Sequence, residues 1–341
     1  MKIAVDAMGG DSAPQAIVDG ALAAAKAANG RFEVVLVGNE DKIKEALSHH
    51  SRVSEFPISI HHASQQIEMK DSPTVALRQK KDSSIAVAMK LQKEGEVDAV
   101  VSAGNTGAVL ASALINLRKI KEVIRPSIGS LIPSGKGVTL LIDAGTNVDC
   151  KPAHLLQFGI MGSIFIKQII GVEYPKVGLL SIGEEESKGN ELTQATHQLF
   201  KNSNLNFIGN IEGGDILKGK ADVVVCDGFV GNIVLKFAES FNKVYSFNLR
   251  QKIGKHLQYN LGAYLLKPAF KRLKKAFDYA EYGGVPLLGV RGVCIICHGG
   301  SSPKAIKNAI LEAEKIINKE VNNHIEQRLH KLKEDKVEIP V

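Results

Sequence analysis

One pattern constrains the fold more than any other. A short apolar run ends in a small, polar, glycine-bearing turn, and a helical pattern usually follows. Residues 3–6 lead into 7–11, 97–102 into 103–107, 138–143 into 144–147, 177–182 into 183–186, 222–226 into 227–232, and 293–297 into 298–302. Further strands are expected at 32–37 and 57–62. The runs are continuous and do not alternate with polar residues, which marks strands covered on both faces. Helices are expected over 14–28, 73–93, 107–119, 152–170, 188–202, 229–250 and 303–332. Pro14, Pro73, Pro152 and Pro303 suit a first helical turn, where the missing N–H costs nothing. Strands interleaved with helices predict a three-layer α/β/α fold. Its polar turns then sit at strand carboxyl ends, where open α/β sheets bind ligands.

A chain of 341 residues can bury one large core. We expect a single domain over 1–341, either as one body or as two intertwined lobes, because no clean linker interrupts it. Residues 126–136 are the candidate inter-lobe segment, and 252–286 is the most irregular stretch. Within that stretch, 253–280 reads as an amphipathic helical hairpin split at Pro268. Leu257, Leu261, Tyr264 and Leu265 share one face of its first piece. Phe270, Leu273 and Phe277 share one face of the second, with Lys271, Arg272, Lys274 and Lys275 elsewhere. Such a basic amphipathic element suits a membrane surface or a protein partner; a subunit interface with a solvated back is the competing reading.

The formal net charge is +7, with basic clusters at 78–81, 118–121 and 267–275. That balance suits an acidic partner: phosphate, an acidic protein, anionic lipid or nucleic acid. It also suits a plain solvated surface. Met1-Lys2 runs straight into a strand, so no secretory signal is expected, and no run of 18 apolar residues suggests a membrane span. The cysteines Cys150, Cys226, Cys294 and Cys297 are therefore expected to be reduced and cytosolic. Cys294 and Cys297 have redox-motif spacing, but on a strand residues three apart face opposite sides.

Loops between strand and helix expose N–H groups that favour a phosphate. Gly104-Asn-Thr-Gly107 fits, with Thr106 as an extra donor; an ordinary tight turn is the alternative. Other phosphate motifs are missing. No G-x-G-x-x-G follows a strand, which argues against a dinucleotide dehydrogenase. Gly214-Asp-Ile-Leu-Lys-Gly-Lys220 spells most of a P-loop, but Ala221 stands where Ser or Thr must meet magnesium, and a strand follows where a helix is required. There is no G-x-S-x-G elbow and no His-rich metal motif. His49-His50 and His61-His62 read as surface residues. Acyl transfer here would use the bound anion as nucleophile, without a covalent enzyme intermediate. Lys188, near a strand end and a helix start, could hold phosphate or stabilise an oxyanion. Asn232 could donate its amide to the same site. A solvated turn and a helix cap are the competing readings of these two residues.

Taken together, these loops resemble the bacterial phosphate acyltransferases of phospholipid synthesis. The resemblance begins at Ile3-Ala-Val-Asp-Ala-Met-Gly-Gly-Asp11. It continues through Arg78-Gln-Lys-Lys-Asp-Ser-Ser84, Ser102-Ala-Gly-Asn-Thr-Gly-Ala108, Asp143-Ala-Gly-Thr-Asn-Val-Asp149, 183–193, Asp227-Gly-Phe-Val-Gly-Asn-Ile-Val-Leu-Lys236, Tyr282-Gly-Gly284 and His298-Gly299. Gln79 stands where the family usually has arginine, and Thr146 where it has alanine. The resemblance implies conversion of acyl-[acyl-carrier-protein] and inorganic phosphate to acyl phosphate and free carrier protein. It implies a mixed, mostly parallel sheet like that of the isopropylmalate dehydrogenases and phosphotransacetylases, so that not every polar turn need lie on one side. It also implies a homodimer, no cofactor and no metal. The enzyme would be cytoplasmic, peripherally attached to the inner face of the cell membrane, where a membrane acyltransferase would take up the product.

The family's catalytic lysine and asparagine fall on Lys188 and Asn232. Phosphate or substrate binding is expected at Asp6, Gly9, Gly10, Asp11, Gly104, Asn105, Thr106, Asp143, Asn147, Asn190, Asp227 and His298. Carrier or membrane contact is expected at Arg118, Lys119, Lys121, Leu265, Phe270, Lys271 and Arg272. Two rivals stand beside this reading: a phosphotransacetylase-like enzyme using acyl-coenzyme A, and a non-enzymatic basic protein binding membrane or nucleic acid. The second leaves the Gly-Asn loops unexplained, and the chain lacks interleaved basic and aromatic stacking motifs.

Overall fold

The computed structural model describes residues 1–254, 257–276 and 281–334. Its strands are β1 (Lys2–Asp6), β2 (Glu33–Gly38), β3 (Ile58–His62), β4 (Ala99–Ser102), β5 (Ser127–Ser134), β6 (Gly137–Ile142), β7 (Val177–Leu180), β8 (Phe207–Ile211), β9 (Val223–Val225), β10 (Val285–Leu288) and β11 (Val293–Ile296). They form one mixed sheet in the order β3-β2-β1-β4-β11-β10-β5-β6-β9-β7-β8.

The continuous apolar runs do lie in a middle layer. In β1, Ile3 and Val5 pack into one core while Ala4 packs into another, on the opposite face. In β6, Leu140 and Ile142 face the first core and Leu141 a third. The helices Gln15–Ala28, Pro152–Phe165 and Pro303–Asn318 cover one face. Pro73–Gln79, Ser84–Lys93 and Thr106–Asn116 cover the other. The segment Pro152–Ile170 is long and apolar enough to cross a bilayer, but most of it is buried against the sheet. Cys294 and Cys297 face different cores, as their spacing on a strand requires.

Strand direction matters most for the site. β3, β2, β1, β4 and β11 are mutually parallel. β11–β10, β10–β5 and β5–β6 are antiparallel. β6, β9, β7 and β8 are again parallel to one another. Three reversals are an odd number, so the second parallel group runs opposite to the first. Loops leaving β1, β4 and β11 therefore emerge at one edge of the sheet, and loops leaving β6, β9 and β7 emerge at the other.

Several elements differ from the sequence expectation. Residues 126–136 are not a linker; they form β5 and its turn, in the middle of the sheet between the two parallel groups. The stretch 73–93 is two helices, because the Asp82 carboxylate between them accepts from the Ser64 amide and hydroxyl and draws the chain out of the helix. The stretch 303–332 breaks at Glu320, which takes a left-handed φ of 48° before Val321 turns inward and is buried. Helix Gly228–Gly254 is followed by Leu257–Leu265 and Lys267–Ala276, so the described part of 252–286 is mostly helical. The break falls at Leu266, and Pro268 lies in the first turn of the second helix. Residues 277–280 of the expected hairpin, with Phe277, lie outside the described residues.

Candidate active site

At the edge served by β1, β4 and β11, Asp6 is the organising group. It is buried, and its Oδ2 accepts from Ser102 Oγ at 2.6 Å. Its Oδ1 accepts from the Met8 amide at 3.2 Å. Ser102 Oγ in turn accepts from the Gly104 amide at 3.1 Å. A Cβ on Gly9 would stand 2.5 Å from Asp6 Oδ2 and 2.6 Å from the Gly104 nitrogen, so only glycine fits. The Asp11 amide donates to Gly299 O, and His298 Nδ1 accepts from the Gly300 amide, which closes the third loop onto the first. Asn105 caps the helix Thr106–Asn116 through its Oδ1, and its amide nitrogen donates to the carbonyls of Glu68, Met69 and Asp71. Thr106 is exposed at the first turn of that helix, and Gly10 packs on Gly299 O.

At the opposite edge the organising group is Asp143, also fully buried. Oδ1 accepts from the amides of Gly145 and Thr146 at 3.2 and 3.0 Å and from Ile128 at 3.4 Å. Oδ2 accepts from the amide and the side-chain nitrogen of Asn147 at 2.6 and 2.8 Å. Asn147 Nδ2 also donates to Pro126 O. Asp227 Oδ1 accepts from the Val230 amide, and Asn190 caps the helix Glu191–Lys201. The amides of Gly145, Thr146 and Asn147, like that of Gly104 at the other edge, already bond side chains of their own loops and are not offered to an anion.

Two side chains at this edge are differently placed. Lys188 is exposed and joins no ion pair among the described residues, although three glutamates precede it. Of those, Glu184 pairs with Lys220 and Glu186 with Lys201. The Lys188 stem lies against Gly183, where a Cβ would stand 2.9 Å from its Cγ. Asn232, in the first turns of helix Gly228–Gly254, is exposed and makes no side-chain hydrogen bond among the described residues. Its side chain covers Gly145, where a Cβ would lie 3.2 Å from Asn232 Cβ. Gly231 lets that helix start so close, since a Cβ there would fall 1.8 Å from Asp143 O.

Within one chain, then, the structure gathers Asp143, Asn147, Lys188, Asn190, Asp227 and Asn232 at one edge. It places Asp6, Gly9, Gly10, Asp11, Gly104, Asn105, Thr106 and His298 at the other. Arg118, Lys119 and Lys121 are exposed and lie at the Asp143 edge, between helix Thr106–Asn116 and β5. Lys119 bridges to Val290, just beyond β10. Leu265 and Lys271 are exposed, Phe270 is half-buried, and the side chain of Arg272 lies outside the described residues. Sequence reasoning overlooked Arg125, Lys151 and Arg291, which are exposed beside Arg118 and Lys119. Their signal was only that each adjoins a strand end. No cluster of three or more possible metal ligands occurs among the described residues.

The chain matches, over residues 1–324, a family described as "Fatty acid synthesis protein". It belongs to that family. It is 49% identical to the phosphate acyltransferase of Geobacter sulfurreducens over 96% of this chain and 94% of that one. It is 51% identical to that of Dictyoglomus turgidum over 97% of this chain and 98% of that one. Among solved structures it resembles a phosphotransacetylase from Streptococcus pyogenes, with a TM-score of 0.59 at 18% identity, covering 93% of this chain and 94% of that one. It also resembles a branched-chain phosphotransacylase from Enterococcus faecalis, with a TM-score of 0.57 at 15% identity, covering 92% and 98%. The mixed α/β sheet and the acyltransferase class expected from the sequence agree with these relatives.

The buried acids carry a pH signature. Burial raises the Asp6 carboxyl above its ordinary 3.8, against hydrogen bonds from Ser102, Ser84, Met8 and Gly9 that pull it down. Burial raises Asp143 in the same way. An acid whose folded pKa is raised holds its proton more tightly when folded. Its contribution to stability is therefore full below the unfolded value and falls as pH rises through the folded one. Asp6→Asn removes that titration. The stability advantage of the wild type over the variant should shrink as pH rises from 3.8 and level off once Asp6 is ionised. Urea midpoints across a pH series check this, and a constant difference would refute it.

Proposed function

We propose that the Asp143 edge is where this enzyme moves an acyl group from the thioester of an acyl carrier protein to inorganic phosphate. A phosphate oxygen attacks the thioester carbonyl, a C–O bond forms, the C–S bond breaks, and the carrier leaves as thiolate and takes up a proton. The products are acyl phosphate and free carrier. The observation that carries the reading is the pair Lys188 and Asn232. Both are exposed and unengaged among the described residues, on loops leaving neighbouring strands β7 and β9, in a chain about half identical to phosphate acyltransferases. Lys188 holds phosphate beside the thioester, which supplies catalysis by proximity. Lys188 and Asn232 together offset charge on the tetrahedral oxyanion. Asp143, Asn147, Asn190 and Asp227 support these loops through their own hydrogen bonds, and the site needs no cofactor or metal.

The same reading includes a cytoplasmic homodimer in peripheral contact with the membrane. For the dimer, support comes from Ile233, Phe237, Phe241 and Tyr245. They follow one another at helical spacing on Gly228–Gly254, and the last three are 58–70% exposed with their rings stacked in series. A second copy also offers a way for the Asp6 loops of one chain to approach the Asp143 loops of another. For the membrane, support comes from Tyr264, Leu265 and Leu266, which stand exposed between two short helices, with Lys267 and Lys271 following. An acyl phosphate released there would reach a membrane acyltransferase directly.

Incubation with acyl carrier protein thioester and phosphate should yield acyl phosphate. Lys188→Ala should lower that rate about 100- to 1,000-fold, the usual effect of losing one oxyanion donor, with circular dichroism unchanged. A fully active variant would sink the assignment, and faster turnover of acyl-coenzyme A would favour the phosphotransacetylase reading. Sedimentation should give twice the chain mass; a single-chain mass refutes the dimer. Leu265→Glu with Phe270→Glu should release the enzyme from anionic vesicles, so unchanged co-sedimentation counts against membrane contact.

A further inference from the structure

Many basic side chains described elsewhere in the fold have an acidic partner. Arg31 pairs with Glu314, Lys80 with Asp71, Lys220 with Glu184 and Asp215, and Lys333 with Glu122. Along the Asp143 edge the pattern stops. Arg118, Lys119, Lys121, Arg125, Lys151 and Arg291 are all exposed, and none joins an ion pair among the described residues. Of the acids that lie among them, Glu122 is held by Lys333, and Asp149 joins no ion pair among the described residues.

These side chains are contiguous. The Arg291 amide donates to Arg118 O, and Lys119 bridges to Val290. Lys119 Nζ donates to Ile124 O at 2.8 Å, and Arg125 Nη1 to Asp149 O at 3.3 Å. Lys151 follows two residues later, at the start of helix Pro152–Phe165. Arg118, Lys119, Lys121 and Arg291 line one shallow groove. A buried histidine registers the field: His154 is held below its usual pKa first by burial and then by Arg125, Lys151 and Lys119. Backbone carbonyls orient two of these cations without neutralising them, so the strip keeps its charge.

The strip is also tied to the reacting loops. Pro126, next to Arg125, accepts from Asn147 Nδ2, which also donates to Asp143. The Asp143 loop carries Gly145, and Asn232 lies over Gly145. We propose that these six side chains form the docking surface for the acidic carrier protein that presents the thioester, an inference that rests on the transfer reaction above. Charge complementarity selects the occupant. Unpaired cations steer an acidic protein at long range and orient it on contact. Ile115 and Val148, exposed at 67% and 59% in the flanking segments, add apolar contact. The groove is lined by no aromatic ring on which a nucleic-acid base would stack.

The test compares wild type with Lys119→Glu/Arg125→Glu/Lys151→Glu and with the milder Arg118→Gln/Lys121→Gln/Arg291→Gln. Binding of fluorescently labelled acyl carrier protein is read by anisotropy at two salt concentrations. Turnover is read with the carrier thioester and with acyl-pantetheine, which has no protein to dock. The reversal variant should bind carrier at least about tenfold more weakly and lose the salt dependence, and the neutral variant should fall between. The KM for the carrier thioester should rise while kcat and acyl-pantetheine turnover stay at the wild-type level. Unchanged carrier binding in both variants would overturn the proposal, as would equal loss with acyl-pantetheine. So would anionic vesicles or RNA that compete for the strip more tightly than the carrier. If the wild type binds carrier through the strip yet forms no acyl phosphate, the transfer reading fails and the docking surface stands.

Discussion

The Asp143 carboxylate holds the site together. A carboxylate without solvent is costly unless its lone pairs are met, and here Ile128, Gly145, Thr146 and Asn147 supply five N–H donors. Those bonds curl the loop into a tight turn whose outer surface is bare at Gly145. That bareness admits Asn232, and the missing Cβ of Gly231 admits the helix that bears it. Through Asn147 the same carboxylate ties in Pro126 and hence the start of β5. The loops after β6 and β9 and the basic segment before β5 are thus one hydrogen-bonded unit. Asp6 does the equivalent work at the other edge with Ser102, Met8 and Gly104.

The sheet decides how far these two units can cooperate. β10 and β5 pair antiparallel with their neighbours and with each other, so the two parallel groups are reversed. Motifs that all look alike in sequence, each a strand run ending in glycine and aspartate, therefore face opposite ways. The first, second and last of these loops cannot meet the other three across a single sheet.

Strands were legible because burial on both faces demands uninterrupted apolar runs, and β1, β4, β6, β9 and β11 have them. Strand direction was not legible, because it is set by β5, whose residues Ser127, Gly129, Ser130 and Pro133 have the polar and proline content of a linker. Helix breaks were hidden for a related reason. Asp82 bonds Ser64 eighteen residues away, a tertiary contact that local periodicity does not carry. Within the candidate site, residue type pointed to loops but not to the bonds within them. Asn105, Asn190 and Asp227 cap helix starts. Asp143 and Asn147 bond each other. Only coordinates separate these engaged groups from Lys188 and Asn232, which are unengaged among the described residues.

That freedom has an electrostatic origin. Lys188 follows Glu184, Glu185 and Glu186, and a lysine beside three carboxylates would ordinarily fold onto one of them. Lys220 draws Glu184 away, at 2.5 Å, and this contact raises the Lys220 pKa. Gln198 and Lys201 draw Glu186 away and lower its pKa. Both contacts are exposed and add little to stability. Their effect is on distribution of charge: they keep two carboxylates occupied by partners other than Lys188. Two of the three neighbouring carboxylates are thus diverted from Lys188. Under the proposed transfer, removing Lys220 or Lys201 would release a carboxylate to compete with phosphate for Lys188, although neither lysine need touch substrate.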